Sequence, residues 1–315
     1  MVPALIAGAG KGAKKRFLDF FTVNIRDPNT RAAYGRAAAA FLHWCYARGI
    51  GALNEVEPVH VATYIEQLGK RMKAPSVKQH LACIRMLFDW LVTGQVMPSN
   101  PAHSVRGPRH SVSKGVTPVL SSEEATALLE GMDVSTVVGL RDRAIIAVMT
   151  YTFARVGAVV ALNVEDYFAQ KKRWWLRLNE KNGKLHEMPC HHKLEADLYN
   201  YLEALQAAAK KHGAALDPKA WLFSTTEGQS GILTGRPMSQ PDVYRMIGRR
   251  AADAGIATKM SCHTFRATGI TEYLRNGGKL EVAQQMANHE SARTTGLYDR
   301  RNDQVSIDEV ERILI

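Results

Sequence analysis

Four prolines, Pro98, Pro101, Pro108 and Pro118, fall within one short stretch of the chain. Proline lacks the N–H that a helix ladder needs, and its ring clashes with the preceding turn. No long helix can cross this stretch, so the 315 residues are read as two units. We expect a flexible tail over 1–13, a helical unit over 14–97, a basic linker over 98–118 and a second unit over 119–315. That length suffices for two buried cores.

Ahead of the linker every strong pattern has the helical period. Lys14 to Phe21 reads as a short basic helix. Asp27-Pro28-Asn29-Thr30 is a helix start, with a polar cap candidate beside a first-turn proline. The helix it opens carries Tyr34, Ala38, Phe41, Leu42 and Cys45 at helical spacing to about Arg48. Pro58 to Lys70 places Val61, Tyr64, Ile65 and Leu68 on one face. Pro75 to Thr93 does the same with Leu81, Ile84, Leu87, Phe88 and Leu91, and shows Lys78, His80 and Arg85 on its other face. Trp44, Phe88 and Trp90 sit on or beside these apolar stripes and are read as core rather than base-stacking platforms.

After the linker the pattern is mixed. Ser121-Ser122-Glu123-Glu124 caps a helix with an acidic first turn, and an apolar helix spans about Gly139 to Tyr151. Trp174, Leu176 and Leu178 alternate with Trp175, Arg177 and Asn179, the period of a strand. Asn182-Gly183 marks a hairpin turn, with a partner strand over Leu185 to Met188. Helices resume over Lys193 to Lys211, Gln240 to Ala254, Cys262 to Arg275 and Leu280 to Ala287, and the tail VSIDEVERILI reads as a short amphipathic helix. The fold class expected is mainly α: an all-helical first unit, then an α+β unit with a small antiparallel sheet.

Charge narrows the partners. The formal net charge is +11, and Met1 to His110 holds 15 Lys and Arg against 6 Asp and Glu. A first third this basic suits a polyanion, above all nucleic acid. Arg106 in the linker and Arg245 and Arg249 on a later helix are further candidates for phosphate contact. The four cysteines are scattered, without a CxxC pair, which points to a reducing cytoplasm and to neither a disulfide framework nor a zinc site. The adjacent His191 and His192 beside Cys190 lack the spacing of one metal site. The N-terminal apolar run is short and precedes its charges, unlike a signal peptide, and no stretch is long enough to span a bilayer.

One segment, Cys262 to Arg301, concentrates reactive groups. His263 and Arg266 lie three residues apart on a helix and share a face. Asn276-Gly277-Gly278 ends that helix, a second follows, and then come His289 and Tyr298. With Arg155 and Lys181 upstream, this set suits attack on a phosphodiester. Two guanidinium groups, Arg155 and Arg266, match the charged non-bridging oxygens. Tyr298 is the nucleophile, inert without a base and local positive charge. His263 is the base or proton shuttle. Lys181, at the hairpin tip, supplies the proton to the departing 5′ oxygen, and His289 hydrogen-bonds the phosphate. No carboxylate cluster of metal-binding spacing is evident, so these groups would take the place of a metal, and no cofactor is expected.

The ordered set Arg155, Lys181, His263-x-x-Arg266, His289 and Tyr298 resembles the catalytic pattern of the tyrosine recombinase (phage integrase) family. The surrounding stretches YTFARVGAVVAL, EKNGKLHEMP and NHESARTTGLYDRR are similar to that family as well, and NTRAAYGRAAAAFLHWC resembles its helical core-binding domain. Lys181 matches the family position better than Lys184. Two positions depart from the pattern. The acidic residue usually found three after the first Arg is Ala158, and the residue before the second His, often Gly, is Asn288.

The resemblance implies a catalytic domain of the DNA breaking-rejoining type and a clamp around duplex DNA. It implies cleavage through a 3′-phosphotyrosine and strand exchange through a Holliday junction in a homotetramer that is monomeric or dimeric when free. It places helices such as Pro75–Thr93 and Gln240–Ala254 in the major groove. It lets a C-terminal helix bearing Val305, Ile307, Val310 and Ile313 dock on a neighbouring subunit, and it implies a prokaryotic, nucleoid-associated cytoplasmic protein. With only 13 residues ahead of the first helix, an integrase of a mobile element without an arm-binding domain is the first expectation, and a chromosome-dimer resolvase the second. A type IB topoisomerase-like relaxing enzyme and a DNA-binding homologue weakened by Ala158 are the alternatives.

Overall fold

The computed structural model describes residues 2–111, 115–180, 183–211, 213–228 and 230–300. The chain divides into two compact units, Met1–Ser111 and Val112–Ile315. Lys181 and the expected C-terminal helix lie outside the described residues.

The first unit is helical: α1 (Ala4–Gly8), α2 (Gly10–Asp19), α3 (Pro28–Tyr46), α4 (Pro58–Gly69) and α5 (Ala74–Thr93). The start of α3 is set chemically. The Asp27 carboxylate accepts from the Thr30 N–H at 2.7 Å, with Pro28 in the first turn. Phe41, Leu42, Ile84, Leu87 and Phe88 are fully buried between α3 and α5, and Phe41 meets Phe88 edge to face with centroids 6.1 Å apart.

Three expectations for this unit are corrected. Residues 4–13 are not a loose tail: they are helical, and Leu5, Ile6 and Ala13 are buried. The expected linker begins too early, since Ala102 and Val105 also belong to the core of this unit. Part of the basic charge serves the fold. The Arg16 guanidinium sits 3.6 Å from the Trp90 ring centre, and Trp90 Nε1 donates to the Arg16 carbonyl at 2.8 Å.

The second unit is mixed. Its helices are α6 (Ser122–Glu130), α7 (Val137–Tyr151), α8 (Val156–Val160), α9 (His192–Lys211), α10 (Gln240–Asp253), α11 (Cys262–Arg275), α12 (Leu280–Met286) and α13 (Ala292–Gly296). Strands β1 (Tyr167–Gln170), β2 (Arg173–Glu180) and β3 (Lys184–Pro189) form an antiparallel sheet in the order β1-β2-β3, and β4 (Ser224–Thr226) pairs with β5 (Leu233–Pro237). The strand pair expected from alternation is β2 and β3. Strands β1, β4 and β5 were not legible, because three to five residues are too few for a period to stand out.

Helix α7 is the central post. Ala144 to Met149 are all fully buried, and α9 and α11 pack against it. Its one buried acid, Asp142, takes Arg141 at 2.7 Å and Arg250 from α10 at 2.8 Å. A buried carboxylate needs such partners, so Arg250 is a structural cation. Pairing of β2 with β3 sets Leu176 opposite Met188 and Glu180 opposite Lys184. Side chains alternate along a strand, so Leu176, Leu178 and then Glu180 all turn inward, and all three are buried.

Candidate active site

The turn between α7 and α8 builds one wall of the site. Phe153 adopts a left-handed backbone, φ +56°, a conformation costly for a bulky residue unless its surroundings impose it. The turn aims the Phe153 carbonyl at Arg266 of α11, which donates to it and to the Ala287 carbonyl at 2.5 Å. It also leaves Arg155 at the start of α8. Helix α11 approaches this turn so closely that a Cβ at Gly269 would collide with the Thr150 carbonyl and the Phe153 ring.

Arg266 is almost fully buried. Burial first, and then the charge of Arg155, draw its pKa down to about 10, while Glu180 and the Tyr298 hydroxyl oppose the fall. It therefore stays cationic at neutral pH. Arg155, Glu180 and Tyr298 surround this guanidinium. His263, one turn earlier on α11, keeps an exposed edge. The packing around its ring, then Arg266 and Arg155, lower its pKa below the ordinary imidazole value.

His289 is buried, and Nδ1 lies 2.9 Å from the Thr295 hydroxyl, which leaves Nε2 for a ligand. Burial, Arg266 and Arg155 together lower its pKa to about 4, so the ring is neutral at physiological pH. Asn288, just before it, has φ +47°. This explains the departure noted in the sequence: the position requires a left-handed backbone, which Gly adopts freely and Asn tolerates best among the others.

Tyr298 is half-buried and rests against the small cluster of Phe153, Ile270, Leu274, Ala283 and Ala287. Its ring stacks on His289 with centroids 5.9 Å apart and planes 10° apart. Its carbonyl accepts from the Thr271 hydroxyl at 3.0 Å. A pocket of about 270 Å³ opens here, lined by Arg155, Glu180, Lys184, Asn288, His289, Glu290 and Thr294.

The structure thus brings together Arg155, His263, Arg266, His289 and Tyr298 from stretches up to 143 residues apart in sequence. Lys184 lines the pocket and pairs with Glu290 at 3.0 Å. Sequence reasoning missed Glu180, whose carboxylate bonds Arg155 Nη1 at 2.7 Å. The signal was present: the alternation read to Leu178 puts Glu180 on the same buried face. Thr295, Thr271 and Arg300 were also missed, and no sequence pattern marks them.

The surface cations separate into two groups. Arg85 is half-buried and donates to the carbonyls of Ala102, at 3.2 Å, and Val105. The His80 ring sits 3.2 Å from the Tyr64 hydroxyl, with its pKa lowered by burial. Each of these two side chains is partly buried and already has a partner inside the first unit. Lys78, Arg106, Arg245 and Arg249 are exposed, although Arg245 also meets Asp242 at 2.5 Å. His191 stacks on Tyr151 with centroids 4.5 Å apart, and no helix among the described residues is long and apolar enough to cross a membrane.

Comparison with known proteins identifies the family. The profile of the Phage integrase family matches residues 118–305, and that of the Phage integrase N-terminal SAM-like domain matches residues 15–95. The chain is 25% identical over 294 residues to tyrosine recombinase XerD of Chlorobaculum tepidum, covering 90% of this chain and 89% of the relative. Its fold is similar to XerH site-specific recombinase in a post-cleavage complex with a palindromic difH substrate: TM-score 0.69, 16% identity, 98% of this chain and 95% of that one. It is also similar to the lambda integrase tetramer bound to a Holliday junction: TM-score 0.65, 16% identity, 93% of this chain and 79% of that one. With a family match across more than half of its length, the chain belongs to the phage integrase family, the tyrosine recombinases.

Proposed function

We propose that this chain cuts and rejoins duplex DNA at a specific site, with Tyr298 as the nucleophile. The observation that carries the reading is the cluster of Arg155, Arg266, His263 and His289, with Tyr298 beside Arg266 and His289.

The phenol loses its proton to His263 and attacks phosphorus. The bond from phosphorus to the 5′ oxygen breaks, and a 3′-phosphotyrosine forms. Lys181 gives the 5′ oxygen its proton. Arg155, Arg266 and His289 Nε2 hold the non-bridging oxygens, where charge accumulates in the transition state. One such positioned donor is worth about 2.7–4 kcal/mol. The phosphotyrosine keeps the energy of the broken bond, so attack by a 5′ hydroxyl of a second strand restores the phosphodiester without a nucleotide cofactor. The exchange runs through a Holliday junction in a tetramer on two sites, as the lambda integrase assembly supports. Lys78, Arg106, Arg245 and Arg249 contact phosphates. The work is done on the DNA of a prokaryotic cytoplasm.

The test uses a pool of nicked duplexes of random sequence, designed so that the short 5′-hydroxyl fragment diffuses away. Adducts are captured under denaturing conditions and sequenced, which also reveals the target. The wild type accumulates a covalent adduct and Tyr298→Phe does not. Equal adduct in both proteins removes Tyr298 from its role, and no adduct with the wild type favours a non-catalytic DNA-binding protein. Exchange between two captured sites, beyond relaxation of a supercoiled plasmid, separates a recombinase from a relaxing enzyme.

A further inference from the structure

Ala158 removes a carboxylate from the neighbourhood of Arg155 in sequence, yet Arg155 does not lack one in space. Glu180 approaches from β2. Its Oε2 lies 2.7 Å from Arg155 Nη1, and its Oε1 lies 3.5 Å from the Arg155 backbone N–H. Its side chain is almost wholly buried, whereas that of Arg155 is one-third exposed. A buried carboxylate is costly unless paired, and this one is spent on a residue at the pocket rather than on the core. The pleat of β2 explains the placement, since Glu180 continues the inward face of Leu176 and Leu178.

We propose that Glu180 is a positioning residue for strand cleavage: it aims the Arg155 guanidinium into the pocket and balances its charge, in place of a carboxylate at position 158. One of the three guanidinium nitrogens is engaged by Glu180. A fixed guanidinium pays less entropy when it meets a phosphate, and a planar fork gains from a fixed orientation. The negative charge also offsets the crowding of Arg155 against Arg266. Without it two cations stand together, and the donors around them release protons more readily.

The inference rests on the proposed role of the Arg155 site, and the experiment keeps the two apart. Adduct formation by the wild type on the captured nicked duplex checks the site; variants at 180 check the inference. Full-length Glu180→Gln and Glu180→Asp are compared in single turnover, with rates normalised to the fraction that binds duplex. We expect Glu180→Gln to slow adduct formation at least tenfold at unchanged duplex affinity. Glu180→Asp keeps the charge with a shorter reach and falls between the two. The alkaline limb of the pH–rate profile moves to lower pH in Glu180→Gln, because the cations packed at this pocket then keep one counter-charge fewer, with Glu290 still paired to Lys184. Adding Ala158→Glu to Glu180→Gln restores part of the rate.

A merely structural ion pair would lower the melting temperature and leave both the normalised rate and the pH profile unchanged; that result overturns the proposal. If Glu180→Gln yields no folded protein, Glu180→Asp decides alone. A fivefold loss at unchanged affinity supports the proposal, and a wild-type rate overturns it.

Discussion

The Arg300 guanidinium donates to the Thr117 carbonyl oxygen at 2.5 Å, and the same Nη2 reaches the Gly115 carbonyl at 3.2 Å. This fastens the chain two residues past the tyrosine to the segment that enters the second unit. Gly115 lies so close to Leu297 that a Cβ there would collide with the Leu297 carbonyl. Tyr298 is therefore held on both sides, by Leu297 against Gly115 and by Arg300 against Thr117, with Thr271 on its own carbonyl.

Loosening that hold should cost rate more than stability. Arg300→Ala leaves the carbonyls of Gly115 and Thr117 without this donor and frees the segment that carries the nucleophile. We expect a tenfold or greater loss in single-turnover adduct formation with duplex affinity unchanged. A gel assay of adduct against time measures it, and a wild-type rate shows that the anchor is dispensable.

The identity of the proton donor can be read from a leaving group that needs no proton. In Lys181→Ala the 5′ oxygen leaves unprotonated, so cleavage falls by roughly 10²–10⁴-fold. A substrate with sulfur in place of that bridging oxygen should restore the rate. Lys184→Ala should lose only the ion pair with Glu290, an exposed pair worth little. If the sulfur substrate rescues Lys184→Ala and not Lys181→Ala, the two lysines exchange roles.

His289 makes folding depend on pH with a definite sign. Its folded pKa is lowered to about 4, against 6.5 in an exposed imidazole. Between these values the unfolded chain binds the proton and the folded chain does not, so stability rises with pH across this window. Its contribution is complete above 6.5 and is lost as the pH falls toward 4. Thermal melts of wild type and His289→Gln should diverge in slope only in that window; parallel curves would contradict the assignment.

The basic side chains of the first unit should divide by role. Arg85→Ala strips a donor from the carbonyls of Ala102 and Val105, costing about 1–3 kcal/mol of stability. Lys78→Ala, exposed, should leave the melting temperature alone and weaken duplex binding, with the salt dependence reduced by about one counterion. Melting curves together with binding titrations at several salt concentrations separate the two. A salt slope unchanged in Lys78→Ala would remove it from the DNA contact.

Much of the helical framework was written locally. Asp27 followed by Pro28 sets the start of α3, Ser121 followed by Glu124 that of α6, and the apolar stripes of α4 and α5 follow from a period of 3.6 that any reader of the sequence can count. His263 and Arg266 are neighbours on α11 for the same reason, and Tyr298 and His289 were named from their order in the chain. What the sequence could not show was which cations were already engaged. Arg16, Arg85 and Arg250 look like surface charge in one dimension and turn out to be bonded to Trp90, Ala102 and Asp142.

The sequence by itself determined where helices such as α3, α5, α10 and α11 begin and end, the pleat that turns Glu180 inward, and the residue types available for phosphodiester chemistry. Only the tertiary structure decided that Glu180 meets Arg155 across 25 residues of chain, that Arg266 is buried beneath Phe153 and Ala287, and that His289 lies flat against Tyr298. The reason is physical. Hydrogen-bond ladders and caps act over a few residues and leave a period in the sequence, whereas charge pairing and burial act through space between segments whose separation along the chain carries no pattern.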